Sequence, residues 1–296
     1  MSTRGDRRRS AARKRRAAGR RRLFVAAAIL VALGTIVWAG LNVSRLWKTD
    51  THGADVTETS IKSKAVPGDH PVSVVVPEGA GDGESGMLVF LHGRSGDNGS
   101  YTNDEEFFEA LAAQGDEAPI VVFPDGGESS YWHDRDTGDW GTYVTDEVIP
   151  QMAEKFGADP DRVAIGGISM GGFGALDLAE KNPDRFCAVG GHSPALFLSG
   201  GESAPGAFDD AEDFDENDVL ATAASDPGAL SSQPVFLDAG KSDPFVPGVT
   251  QLAGSLEAAG DDATVHLNWP GGHDEDYWNA HWDDYLRFYA DALASC

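Results

Sequence analysis

The sequence predicts an α/β domain built on a mostly parallel sheet with helices covering both faces. Three observations carry that prediction. Short apolar runs bounded by Gly, Pro or Asp recur from about residue 67 onward. Stretches with amphipathic helical spacing separate them. The 296-residue chain, 41% hydrophobic and 24% charged, is also long enough to bury one large core.

The elements before the domain come first in order. Residues 1–22 hold eleven Lys and Arg against one acid, Asp6. Residues 23–41 (LFVAAAILVALGTIVWAGL) then run without a charge, long enough to cross a bilayer core at about 1.5 Å per residue. Cations ahead of an apolar segment place the N-terminus in the cytoplasm and the remainder outside. Trp38 and Trp47 fall towards the outer interface. One N-terminal transmembrane signal anchor is therefore expected, with a cleaved signal peptide as the alternative. The small-residue site at Val37-Trp38-Ala39 is poor, and the apolar stretch is long for a signal peptide, so the anchor is preferred. Arg21-Arg22-Leu23-Phe24 also resembles a twin-arginine export signal. The expected location is the cell membrane, with the domain outside the cytoplasm, or secreted if the segment is cleaved. Residues 42–66 are polar and read as a linker.

The catalytic domain is expected over 67–296. Strands are predicted at Val72–Val76, Met87–Leu91, Ile120–Phe123, Val163–Gly167, Ala188–Gly190, Val235–Leu237 and Thr264–Asn268. Helices are predicted at Asn103–Gln114, Thr142–Phe156, Phe173–Lys181, Val249–Ala259 and Glu275–Leu293. Residues 193–232 are expected to form a small lid carrying Leu196, Phe197, Leu198, Phe208 and Phe214. The acidic run 209–218 lacks the Gly-centred spacing of a calcium loop and reads as a solvated excursion. Beyond residue 22 the chain holds twelve Lys and Arg against 47 Asp and Glu. So acidic a domain repels polyanions, and nucleic acid is excluded as a partner.

In such sheets the site lies beyond the carboxyl ends of the strands. There, Gly167-Ile168-Ser169-Met170-Gly171 places G-x-S-x-G between an apolar strand and a small-residue helix. That context makes it a nucleophile elbow, with Ser169 lifted to the helix N-terminus. A general base must follow, and histidine suits proton exchange near neutral pH. His273, in the turn Trp269-Pro270-Gly271-Gly272-His273-Asp274 before the last helix, is the candidate. His52 and His70 lie too early, while His92 and His133 precede the serine. His192 leaves no room for an acid, and His266 and His281 sit inside predicted elements. The chain order Ser, Asp, His leaves Asp238 and Asp243 as acids. Asp243 reaches further into the loop and is preferred; Asp238 is expected to cap the turn. Two donors must meet a developing oxyanion. The Met170 amide is one, and the Arg94 amide the other, with Gly93 as its alternative.

Together, Gly167-Ile168-Ser169-Met170-Gly171-Gly172, Leu91-His92-Gly93, Asp238-x-Gly240-x-x-Asp243 and Gly271-Gly272-His273 resemble the putative-esterase branch of the α/β hydrolases. That branch takes in esterase D, the enterochelin esterases and secreted mycolyltransferases. The resemblance covers residues 67–296 and implies the α/β-hydrolase fold, the second aspartate of D-x-G-x-x-D as the acid, and no metal or organic cofactor. It also implies substrate contacts along an aromatic stretch, Tyr131 and Trp132 through Trp140, with Gly93 beside them. The expected activity is serine-dependent hydrolysis of a small-molecule, lipid or glycan ester. Acyl transfer with the same triad is the runner-up, and a catalytically dead tethered binding module comes third. Only Cys187 and Cys296 are present, and the expected topology allows them to pair across one edge of the fold.

Overall fold

The computed structural model describes residues 49–296 apart from Pro227, Ser231 and Asp262. The basic segment 1–22, the apolar segment 23–41 and the first part of the expected linker lie outside the described residues. Among those described, no helix is long and apolar enough to cross a membrane.

The main sheet has eight strands: β1 (Asp55–Ser63), β2 (Gly68–Val76), β3 (Ser85–Leu91), β4 (Ile120–Pro124), β7 (Ala158–Ile168), β8 (Ala188–His192), β9 (Val235–Asp238) and β10 (Thr264–His266). Their spatial order is β1-β2-β4-β3-β7-β8-β9-β10. β1 and β2 pair antiparallel, and β2 pairs antiparallel with β4. Every pairing from β4 to β10 is parallel. A separate hairpin joins β5 (Asp134–Arg135) and β6 (Gly138–Asp139). β3 and β4 are buried almost throughout, so their sequences read as continuous apolar runs.

Helices cover both faces. On one side lie α1 (Glu105–Ala113), capped by Asp104, and the C-terminal α8 (Trp282–Ser295). Their Phe107, Phe108, Trp282 and Leu286 pack with Phe90 and Phe123 of the sheet. The other face carries α2 (Ile149–Phe156), α3 (Met170–Lys181) and α6 (Val246–Ala259). A π-helical turn, Tyr143–Val148, leads into α2.

Two expectations are corrected. Residues 55–63 are not a tether but edge strand β1, so the compact unit begins at Asp50. Seven of the nine β1 residues are polar, and among all nine only Ile61 and Ser63 are buried. Its covered face, Thr59, Ile61 and Ser63, offers a single apolar residue, so the strand carries no apolar alternation to read. The predicted helix 275–293 is two helices, α7 (Glu275–Asn279) and α8, broken at Ala280–His281. Within residues 193–232, the acidic run folds rather than loops. Asp210 caps α4 (Ala211–Glu216), and Asp209 pairs with Arg135 of the hairpin. A further helix, α5 (Val219–Ser225), follows. Phe208 packs on Tyr131 and Phe173, so that aromatic anchors this segment to the body.

Cys187 and Cys296 form a disulfide, tying the end of α8 to the start of β8. The bridge spans 109 residues, a loop whose closure constrains the unfolded chain by about 5 kcal/mol. The Cys187→Ser/Cys296→Ser protein is expected to melt about 10 °C lower in calorimetry. An unchanged melting temperature would mean that the bridge contributes nothing to stability.

A second prediction concerns pH. Burial, reinforced by neighbouring Asp177, pushes the Glu180 carboxyl on α3 up to about 9. The native protein thus holds a proton that the unfolded chain releases above the ordinary carboxyl value of 4.5. More protons bound in the native state means that stability falls as pH rises through this window. Glu180→Gln is expected to raise the melting temperature more at pH 8 than at pH 5. Equal gains at both values would contradict the assignment.

Candidate active site

β7 ends in a turn so sharp that Ser169 sits at φ 57° and ψ −113°, a conformation that costs a non-glycine residue of order 1–3 kcal/mol. The neighbours make it possible. A Cβ on Gly171 would stand 2.0 Å from the Leu91 carbonyl oxygen, and one on Gly167 2.5 Å from the Gly171 carbonyl carbon. Only glycine lets β3, β7 and α3 approach this closely. The turn is then pinned. The Ser169 amide donates to the His192 carbonyl at 2.9 Å, and the Ser169 carbonyl accepts from the Phe173 and Ala195 amides, each at 3.0 Å.

The β9–α6 loop brings Asp243, and the β10–α7 loop brings His273. The two loops touch: the Ser242 amide donates to the Gly271 carbonyl at 2.9 Å, and the Lys241 amide to that of Trp269 at 3.0 Å. His273 Nδ1 lies 2.9 Å from Asp243 Oδ2, and its Nε2 lies 2.8 Å from Ser169 Oγ. A carboxylate accepts only, so Nδ1 carries the proton and Nε2 is left to accept from the hydroxyl. Asp243 is buried, and its Oδ1 accepts from the Phe245 amide at 2.8 Å. Phe245 and Trp278 hold the imidazole edge to face, each with its ring centre 5.1 Å away. Asp238, the rejected acid, is instead sealed beneath the site against His192.

His92 organises the opposite wall. The Gly126 amide donates to its Nε2 at 3.0 Å, so Nδ1 is protonated and donates to the Gly93 carbonyl at 2.8 Å. The Gly96 amide donates to the same oxygen at 3.0 Å. Because a trans peptide points its C=O and N–H in opposite directions, this turns the Arg94 N–H away from His92. Among the described residues neither the Arg94 nor the Met170 amide donates to a backbone carbonyl. Met170 opens α3 directly after Ser169, and Arg94 lines the same cleft as Ser169.

These groups open on a cleft of about 970 Å³, lined by Gly93, Arg94, Tyr131, Ser169, Phe245 and His273 among others. Trp132 and Trp140 do not reach it, contrary to expectation. Trp132 is fully buried, donating from Nε1 to the His92 carbonyl at 3.2 Å. Trp140 packs against His70 and Tyr143 on the far side of Gly127. Their apolar area is worth more inside than in a wet cleft. Phe245 and Trp278 are absent from the sequence expectation, although each lies within five residues of Asp243 or His273.

A serine held this way, at the head of a parallel strand, defines a class: the α/β hydrolases that employ a serine. Comparison with known proteins narrows it. Residues 63–289 match the family described as "Putative esterase", and the chain belongs to that family. The MPT51 antigen of Mycobacterium leprae is 36% identical over 93 residues, covering 30% of this chain and 31% of that protein. The chain thus aligns with about a third of that relative's length. S-formylglutathione hydrolase of Bos taurus is 27% identical over 203 residues, covering 59% of this chain and 70% of that enzyme. Among solved structures, a ferulic acid esterase superposes with a TM-score of 0.71 at 23% identity, covering 81% of this chain and 98% of its own.

Proposed function

We propose that this chain is an exported serine esterase that hydrolyses a carboxylic ester through a Ser169 acyl-enzyme. One observation carries the reading: Ser169 Oγ, His273 and buried Asp243 form an unbroken hydrogen-bonded line ending in an open cleft. His273 Nε2 takes the hydroxyl proton as Oγ attacks the ester carbonyl. The negative charge that develops on the carbonyl oxygen is met by the Arg94 and Met170 amides. Collapse expels the alcohol, which leaves with the proton from His273. A water molecule, deprotonated by the same imidazole, then attacks the acyl carbon and restores Ser169 with its proton. The His273 side chain is 23% exposed, which supports water as the acceptor.

The substrate class is a small-molecule, lipid or glycan ester, with Gly93 and Tyr131 as its contacts. The location rests on two supports. The cationic block and the apolar segment 23–41 read as a membrane anchor with the domain outside. The Cys187–Cys296 disulfide suits an oxidising compartment.

The test treats the full-length protein with a fluorophosphonate probe and assays p-nitrophenyl esters of several chain lengths. Labelling at Ser169 with turnover is expected; no labelling and no turnover would sink the esterase reading. Product that depends on an added sugar or lipid alcohol and exceeds the free acid would make the enzyme an acyltransferase.

A further inference from the structure

Beneath the site lies a second buried set of polar groups that the reaction sequence does not use. Asp238 is fully buried. Its Oδ1 accepts from His192 Nδ1 at 2.7 Å, and its Oδ2 accepts from the Tyr277 and Tyr285 hydroxyls at 2.7 and 2.9 Å. The far side of His192 is closed by the Tyr289 hydroxyl, 2.8 Å from Nε2. Neither Asp238 nor any of its partners lines the cleft.

What these residues join is more informative than what they are. His192 ends β8, and its carbonyl receives the Ser169 amide at the elbow. Asp238 ends β9, five residues ahead of Asp243, and its own carbonyl accepts from the Ser193 amide at 2.9 Å. Tyr277 stands on α7, four residues beyond His273. Its ring lies flat enough on the base loop that a Cβ at Gly271 would come within 2.5 Å of it. One carboxylate therefore ties together the backbone segments that carry the nucleophile, the acid and the base. Stability alone does not call for a buried charge at such a junction, because a well-packed apolar group often does as well or better. Directional hydrogen bonds do something apolar packing does not: they fix distances between separate loops to fractions of an ångström.

We infer that Asp238, through its hydrogen bond from Tyr277, is a positioning residue that holds the His273 loop in register with Asp243 and Ser169. This rests on the esterase reading above. The Tyr277–Asp238 bond is the link nearest the base. Its loss frees α7 to drift while the ring still packs on Gly271. Misplacement by less than an ångström costs rate without costing substrate binding.

Tyr277→Phe in the full-length protein removes one hydroxyl and tests this. For p-nitrophenyl acetate, kcat is expected to fall about tenfold with KM changed less than about twofold. The rate of fluorophosphonate labelling should fall in parallel. In an Asp243→Asn background, where the aligned acid is already gone, Tyr277→Phe should lower kcat by less than about twofold. Two results would overturn the inference: a kcat unchanged in the otherwise native protein, or the same fold-loss in both backgrounds. Either would leave the hydroxyl a purely structural role, which a lowered melting temperature alone would report. An absence of Ser169-dependent labelling and turnover in the unsubstituted protein is a different failure, that of the esterase reading itself.

Discussion

Replacing Ser169 with alanine is expected to lower kcat for a p-nitrophenyl ester by about 10⁵- to 10⁶-fold, with KM little changed. In the proposed mechanism the hydroxyl forms the covalent bond, and nothing nearby replaces it: none of the residues lining the cleft is a cysteine, and Ser95 and Ser100 line it without a hydrogen bond to His273. The residual rate would come from the Arg94 and Met170 amides and from binding, as when a nucleophile is deleted from a preorganised site. The fold should survive. The elbow is pinned by backbone bonds to His192, Phe173 and Ala195, none of which needs the side chain. Circular dichroism should therefore match the unsubstituted protein while labelling by fluorophosphonate disappears. A loss smaller than about tenfold would move the nucleophile elsewhere.

Much of this site is legible in the residues because its geometry leaves few choices. Close contacts forbid a Cβ at positions 167 and 171, so the elbow announces itself as a pair of glycines around a serine. The central parallel strands β3, β4 and β8 are buried on both faces, and β3 and β4 spell themselves as apolar runs. The order of serine, aspartate and histidine along the chain then sets aside five of the other seven histidines, and His266 and His281 lie inside predicted elements rather than in a turn. Other features leave no such trace. Polar β1 is half-wet and reads as linker. Trp132 and Trp140 belong to one aromatic stretch, but composition does not say which way a ring turns. The structure sends both inward. In the sequence, the preference of Asp243 over Asp238 rests on loop reach and on the resemblance of Asp238-x-Gly240-x-x-Asp243 to its family. The deciding fact is that β9 ends on Asp238, which leaves that side chain under the sheet's edge with His192.

The same pair of aspartates gives the second large prediction, because their asparagine variants should fail in different ways. In Asp243→Asn, Oδ1 keeps accepting from the Phe245 amide, and the new NH₂ faces His273 Nδ1. Two donors cannot share that contact, so Nδ1 must become the acceptor and the imidazole proton moves to Nε2. There it donates to Ser169 Oγ rather than accepting from it, and the base is lost. A fall in kcat of about 10³- to 10⁴-fold is expected, with the melting temperature nearly unchanged. Asp238→Asn meets a different surrounding. Its carboxylate receives a histidine N–H and two tyrosine hydroxyls in full burial. An amide either turns its NH₂ on one of these donors or forces His192 to its other tautomer, which takes the acceptor from the buried Tyr289 hydroxyl, at a cost of about 3 kcal/mol or more in stability. Activity measured well below its melting point should fall by only about 10- to 100-fold, through misplaced loops rather than a lost tautomer. Paired melts and kinetics on the two variants separate these fates. If Asp238→Asn lost more kcat than Asp243→Asn while still folded, the orienting acid would be Asp238, and the 2.9 Å contact at His273 Nδ1 would have no catalytic role.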